Sequence, residues 1–192
     1  MHSSIILAAV CALSGAASAA CLTDSNAQQV ANNFATLFSN YTAAFANQTL
    51  ASNYTDQTDS VDWLMSNGTM CPKALGSETF SSRAAFEAAQ ATQPNMPFNV
   101  ENTFHDCTNV FIRWKFTVKP QQVQGIAILQ TIPNPKSPDN QQQPFLIDNV
   151  FSEFNTGAFI TNLGYYHGTS PCGAGASKRD ADGSDMPAMW MS

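Results

Sequence analysis

Near Phe98 the hydrophobic pattern of this chain switches from helical spacing to alternation, and few folds accommodate that order. Before the switch, Val30, Phe34, Leu37, Phe38, Tyr41 and Phe45 recur at steps of three and four. That is the apolar stripe of an amphipathic helix, predicted over residues 25–45. Asp24 and Ser25 suit its start, and Ser25 and Gln28 have capping-box spacing. A short second helix is expected over residues 50–54 and a third turn over 61–64, before Asn67-Gly68 breaks the chain. A further helix over 82–91 has Ser81 or Ser82 to cap it and Pro94 just past its end.

After the switch the period is two. Phe98, Val100 and Phe104 alternate with Asn99, Glu101 and His105. Val110, Ile112, Trp114, Phe116 and Val118 share one face of the next strand, with Phe111, Arg113, Lys115 and Thr117 on the other. The tight link through Cys107 makes these two strands a hairpin. Further strands are predicted at 123–132, 145–154 and 158–165, the last two joined by an Asn155-Thr156-Gly157 turn. Short connections imply antiparallel pairing. Helices first and strands later imply an α+β fold, with N-terminal helices on one face of a curved antiparallel sheet of about five to six strands. A long helix across such a sheet encloses a cone, and its mouth is a natural ligand pocket.

The ends read differently from the middle. Residues 1–19 have the form of a signal peptide, with a short apolar run from Ile5 to Leu13 and a small-residue site at Ala17-Ser18-Ala19. Residues 173–192 are rich in Gly, Ala, Ser and Asp, include the dibasic pair Lys178-Arg179, and read as a disordered tail. One domain, 20–172, lies between them. No other stretch is long and apolar enough to cross a bilayer, so the expectation is a secreted protein. A net charge of −6 argues against nucleic acid and anionic membrane surfaces as partners.

Four cysteines remain beyond the leader, Cys21, Cys71, Cys107 and Cys172, an even number that in an exported chain implies two disulfides. Of the three pairings, Cys21–Cys172 with Cys71–Cys107 is preferred, because the first would tie the two ends of the domain. No Cys-x-x-Cys occurs, so no metal site is expected. Sequons at Asn40, Asn47, Asn53 and Asn67 mark the chain as a candidate glycoprotein.

Several segments carry a family resemblance. They are Cys21-Leu22-Thr23-Asp24, Tyr54-Thr55-Asp56-Gln57-Thr58-Asp59-Ser60-Val61, and Thr79-Phe80-Ser81-Ser82-Arg83-Ala84-Ala85-Phe86. Two more are Phe104-His105-Asp106-Cys107 and Ser152-Glu153-Phe154-Asn155-Thr156-Gly157-Ala158. Over residues 21–172 the chain resembles the NTF2-like superfamily in its SnoaL-like and ketosteroid-isomerase-like sense, and more narrowly its secreted fungal members. The resemblance implies the cone, often with an Asp, His or Tyr inside whose pKa is tuned by burial. The superfamily holds dehydratases, isomerases, cyclases and epoxide hydrolases beside binding modules, so the fold does not carry a function with it.

On that footing the candidate catalytic residues are Asp59, His105 and Asp148, with Asp62 close by. Phe34, Phe38, Tyr41, Trp63 and Trp114 are the candidate pocket wall. Each has a plainer role open to it. Asp59 and Asp62 suit the first turn of a helix. His105 can line a disulfide at Cys107, Tyr41 can be core, and Asp148 can pair with Arg113 or Lys115. Two functions follow. The first is a binding module for a small apolar molecule or a protein partner. The alternative is a cofactor-free dehydratase, isomerase or cyclase acting on a polyketide-like substrate. No cofactor is expected in either, and a homodimer through the outer sheet face is compatible with both.

Overall fold

A computed structural model describes residues 21–65, 75–136 and 143–163. The predicted leader, the tail, Asn67, Cys71 and Cys172 lie outside the described residues. In chain order the elements are α1 (Asp24–Ser39), α2 (Ala43–Thr49), β1 (Leu50–Gln57), α3 (Asp59–Met65) and α4 (Arg83–Gln90). Then come β2 (Phe98–His105), β3 (Asn109–Phe116), β4 (Val123–Pro133), β5 (Phe145–Phe154) and α5 (Thr156–Asn162). The α+β class holds, with helices on one face of a curved, open sheet of five strands in the order β1-β5-β4-β3-β2.

Four local expectations change. Thr23, not Asp24 or Ser25, caps α1, its hydroxyl accepting from the Asn26 N–H at 3.2 Å. The long helix is two, because Thr42 caps a new start by accepting from the Phe45 N–H at 3.1 Å. Residues 50–54 form part of β1 rather than a helix. Leu50 and Tyr54 are four apart, a spacing open to either structure, and pairing decides. β1 lies parallel to β5, with Leu50 opposite Ile147 and Gln57 opposite Phe151. Finally, the strand expected from Ala158 is α5. The Asn155 side chain accepts from the Ala158 N–H at 3.1 Å, so what reads as a hairpin turn is a helix cap.

From β2 to β5 the sheet is an antiparallel meander. Its inner face is apolar as predicted: Val110, Ile112, Trp114 and Phe116 are buried, and Val30, Phe34 and Leu37 of α1 are buried in the same core. Its outer face has an apolar row that register places across four strands, Phe104-Phe111-Ile128-Phe151. Breaks in register at Glu101, between Val100 and Asn102, and at Asp148, between Ile147 and Asn149, are where β2 and β5 depart from a regular ladder, as bulges that bend a strand do.

The disulfide pairing is corrected. Cys21 is bonded to Cys107, with Cα atoms 4.3 Å apart. The cap at Thr23 sets the start of α1 beside the β2–β3 turn, and the Leu22 N–H donates to the Cys107 carbonyl at 3.0 Å. Cys21 is therefore taken, and neither preferred pairing stands.

Gly125 is required by contact rather than by backbone angle. A Cβ there would lie 2.5 Å from Trp114 Cζ2, 2.6 Å from the Glu153 carbonyl and 2.7 Å from Phe154 Cβ. Two of these are on the β5 backbone or at its root and cannot swing away. Gly125→Ala is expected to cost about 1–3 kcal/mol. Thermal denaturation would show a midpoint lower by about 2–4 °C per kcal/mol. An unchanged midpoint would mean that Trp114 does not lie over this glycine.

Candidate functional site

Between the inner face of the sheet and the helices lies a cavity of about 520 Å³. Phe34 and Phe38 from α1, Phe86 from α4 and Trp114 from β3 contribute to its wall. The rings hold one another: Phe38 stacks on Phe98 at 5.3 Å between centroids, and Phe98 on Trp114 at 4.7 Å. Leu64 and Met65 of α3 and Leu163, the C-cap of α5, line the other side. Glu153 of β5 fixes α3 there, accepting from the Asp59 and Ser60 N–H groups at 3.1 Å each and from the Ser60 hydroxyl. Among the described residues the aromatic side chains do not pack the cone shut.

Among the described residues one carboxylate lines the cavity, and it is Asp56. Strand alternation explains why it points inward: Tyr54, Asp56 and Thr58 are buried, whereas Thr55 and Gln57 are only partly covered. The backbone of Asp56 is clamped against the segment before α4, donating to the Phe80 carbonyl at 2.9 Å and accepting from the Thr79 N–H at 2.8 Å. Its Oδ1 accepts from the Thr58 hydroxyl at 2.7 Å and its Oδ2 from the Tyr54 hydroxyl at 3.0 Å. Burial pushes its pKa from 3.8 up to about 6. The two hydroxyl bonds oppose that rise, and the negative charges of Asp62 and Glu153 add to it. Burial also raises the Tyr54 hydroxyl well above its ordinary value, so it stays a donor.

Two further polar groups matter. Trp114 Nε1 and Gln90 Nε2 are buried with no hydrogen-bond partner among the described residues, and both residues line the cavity. A buried donor without a partner is costly, so these are the groups a bound molecule could satisfy.

The sequence-predicted residues divide. Phe34, Phe38 and Trp114 line the cavity. Tyr41 does not; its hydroxyl donates to the Glu87 carbonyl at 3.2 Å and ties the α1–α2 link to α4. Trp63 does not either, being 38% exposed on α3. Asp59 stands in the first turn of α3, the plainer role open to it, and its carboxylate accepts from the Gly76 N–H at 2.7 Å. Asp62 is buried in α3 and acts on Asp56 by its charge. His105 lies at the far end of β2 beside the disulfide, its Nε2 2.9 Å from Asp24 Oδ1. Asp148 occupies the register break in β5 and pairs with neither cation: Lys115 bonds Glu101 at 2.7 Å, and Arg113 donates to Asn102 and Gln124. The three proposed catalytic residues are thus not brought together, and none lines the cavity. Asp56 and Gln90 were missed. Reading residues 50–54 as helix hid the alternation Tyr54-Asp56-Thr58 that points at the cavity.

Asn40, Asn47 and Asn53 are exposed. Among the described residues no group of three or more His, Cys, Asp or Glu side chains could hold a metal ion.

A model of the NTF2-like domain family matches residues 20–166, and the chain belongs to that family. Solved structures are similar to the chain, and the first of those that follow agrees on the fold. A protein assigned as a polyketide cyclase from Bacillus cereus ATCC 10987 is similar at 15% identity over 76% of this chain and 87% of that one, with a TM-score of 0.52. TsrD from Streptomyces laurentii is similar at 13% identity over 76% and 99%, with a TM-score of 0.49. A protein assigned as a ketosteroid isomerase from Kribbella flavida DSM 17836 is similar at 13% identity over 78% and 84%, with a TM-score of 0.47. No curated protein sequence matches the chain.

Proposed function

We propose that this protein holds one small, largely apolar molecule inside the cone. The observation that carries the reading is the cavity of about 520 Å³ with aromatic walls and, among the described residues, a single buried carboxylate, Asp56. Its size falls within the range of preformed ligand sites, and its few polar groups suffice to orient a guest. An open cavity favours a small molecule over a protein partner.

The neutral fluorescent probe 6-propionyl-2-(dimethylamino)naphthalene tests this. We expect saturable binding of one probe per chain, with blue-shifted emission. Ala89 of α4 also lines the cavity. Ala89→Trp fills the space, leaves Asp56 in the sequence, and should weaken binding about tenfold or more, a loss of about 1.4 kcal/mol or more. Equal binding by both chains would put the probe elsewhere and sink the proposal.

A second reading is favoured by one observation, the burial of Asp56 in the cavity wall, which pushes its pKa up to about 6. Such a carboxylate is largely ionised at neutral pH yet basic enough to take a proton. With Trp114 Nε1 or Gln90 Nε2 donating to a substrate oxygen, the site would suit a cofactor-free isomerase, dehydratase or cyclase of the polyketide-like kind. Asp56 then replaces Asp59, His105 and Asp148 as the base.

The proposal includes a place of work outside the cell, as in the secreted fungal members of the family. Supporting it are the leader-like residues 1–19, the four sequons, and a disulfide of the kind that persists in oxidising compartments. Among the described residues no helix is long and apolar enough to cross a membrane.

A further inference from the structure

We propose that the cavity selects an organic cation: a lipophilic tertiary amine whose protonated nitrogen donates to Asp56 while its apolar part lies among the rings. The inference rests on the cavity-binding reading and adds the charge of the guest.

The charge of the wall is the first argument. Of the described residues lining the cavity, Asp56 is the sole acid, and none is Lys, Arg or His. An anion would meet a like charge with no cation to answer it. A neutral guest would leave an ionised carboxylate buried against apolar surface, an arrangement that costs free energy. A cation removes that cost. The charged groups on neighbouring elements add to the same sign. Asp62 of α3 and Glu153 of β5 both act on Asp56, and Tyr54 on its own strand stays neutral. On α4, Arg83 and Glu87 lie 3.6 Å apart and answer each other.

The second argument is the hydrogen-bond inventory. Each carboxylate oxygen of Asp56 accepts one hydroxyl. A carboxylate has about four acceptor sites, so about two remain for a guest. A primary ammonium brings three N–H donors and strong hydration that a phenyl-lined wall cannot replace. A tertiary ammonium brings one, and its alkyl groups can rest against Phe and Trp rings, which attract cations. The unpartnered Trp114 Nε1 and Gln90 Nε2 call for an oxygen acceptor elsewhere on the same molecule, such as an ether, hydroxyl or carbonyl. This selects a tertiary amine that also carries oxygen.

Isothermal titration of the folded chain with two probes of similar shape tests the charge. One is 1-(dimethylaminomethyl)naphthalene, protonated throughout the range used; the other is the neutral 1-(methoxymethyl)naphthalene. At pH 7.5 the amine should bind about tenfold or more tighter, one per chain. Below about pH 6, where Asp56 takes up its proton, that advantage should shrink toward about tenfold per pH unit. Asp56→Asn should abolish both the preference and its pH dependence; the wild-type comparison stands without that variant should it not fold. Equal, pH-independent affinities would overturn the cation and leave the cavity reading intact. A preference for the ether at pH 7.5 would do the same. Binding of neither probe would overturn both.

Discussion

A Cys107→Ser chain should lose about 4 kcal/mol of stability, the largest effect expected of any single substitution considered for this fold. Cys21 and Cys107 are separated by 86 positions, and closing a loop of that length removes much of the freedom of the unfolded chain. At this chain length the thermal midpoint should fall by roughly 8–16 °C. Reductant added to the wild-type chain should reproduce the fall, and peptide mapping without reductant should return Cys21 joined to Cys107. An unchanged midpoint would mean that other contacts already fix the N-terminus. The bridge also reaches the site. It fastens the start of α1 to the β2–β3 turn, and α1 carries Phe34 and Phe38 to the cavity wall. The His105–Asp24 pair beside it is a weaker fastener. His105 is raised from 6.5 chiefly by its hydrogen bond to Asp24, so the pair's contribution is complete below 6.5 and fades as pH rises through the raised value.

Asp56→Asn should stabilise the protein relative to wild type as pH rises, by an amount that grows by about 2 kcal/mol between pH 4 and pH 7. The carboxyl moves from 3.8 in the unfolded chain to about 6 in the fold. Between those values the folded chain keeps a proton that the unfolded chain has released. Stability therefore falls as pH rises through the window, and above about 6 the ionised carboxylate bears the whole cost. Asparagine has no charge to bury. Its amide keeps one acceptor, so either Tyr54 or Thr58 must reorient, a constant offset that does not change with pH. Urea denaturation of both chains at several pH values gives the difference directly. A difference independent of pH would show that Asp56 is not in a desolvated place. An acid kept at such a cost in stability fits a group retained for what it binds.

How far the sequence could reach depends on which interactions set each element. The β2–β3 hairpin and β5 were legible because alternation and burial agree along them: Val110, Ile112, Trp114 and Phe116 are all inside. α4 was legible because Ser82 is a strong local cap, accepting from the Ala85 N–H at 3.1 Å. The β1 and α5 segments were not. Among the described residues β1 is an edge strand whose ladder is to β5, 94 to 97 positions away, so its conformation is decided by pairing that local pattern does not carry. Asn155-Thr156-Gly157 suits a turn and a cap equally, and the side-chain bond to Ala158 decides between them. The site inherits these limits. Three aromatic wall residues follow from the α1 stripe and the β3 alternation. Asp56 was out of reach because it follows the helix expected over residues 50–54, and with no strand expected there it had no inward face to be assigned to. Asp59, two positions past the end of Asp56's neighbour Gln57, answers to a different element and a different role.

The most direct test is to follow the ¹³C resonance of the Asp56 side-chain carboxyl against pH, with and without the neutral naphthalene probe. The account predicts a midpoint of about 6 in the free protein and a resonance that moves on binding. A midpoint near the ordinary carboxylate value, with no response to the probe, would contradict it.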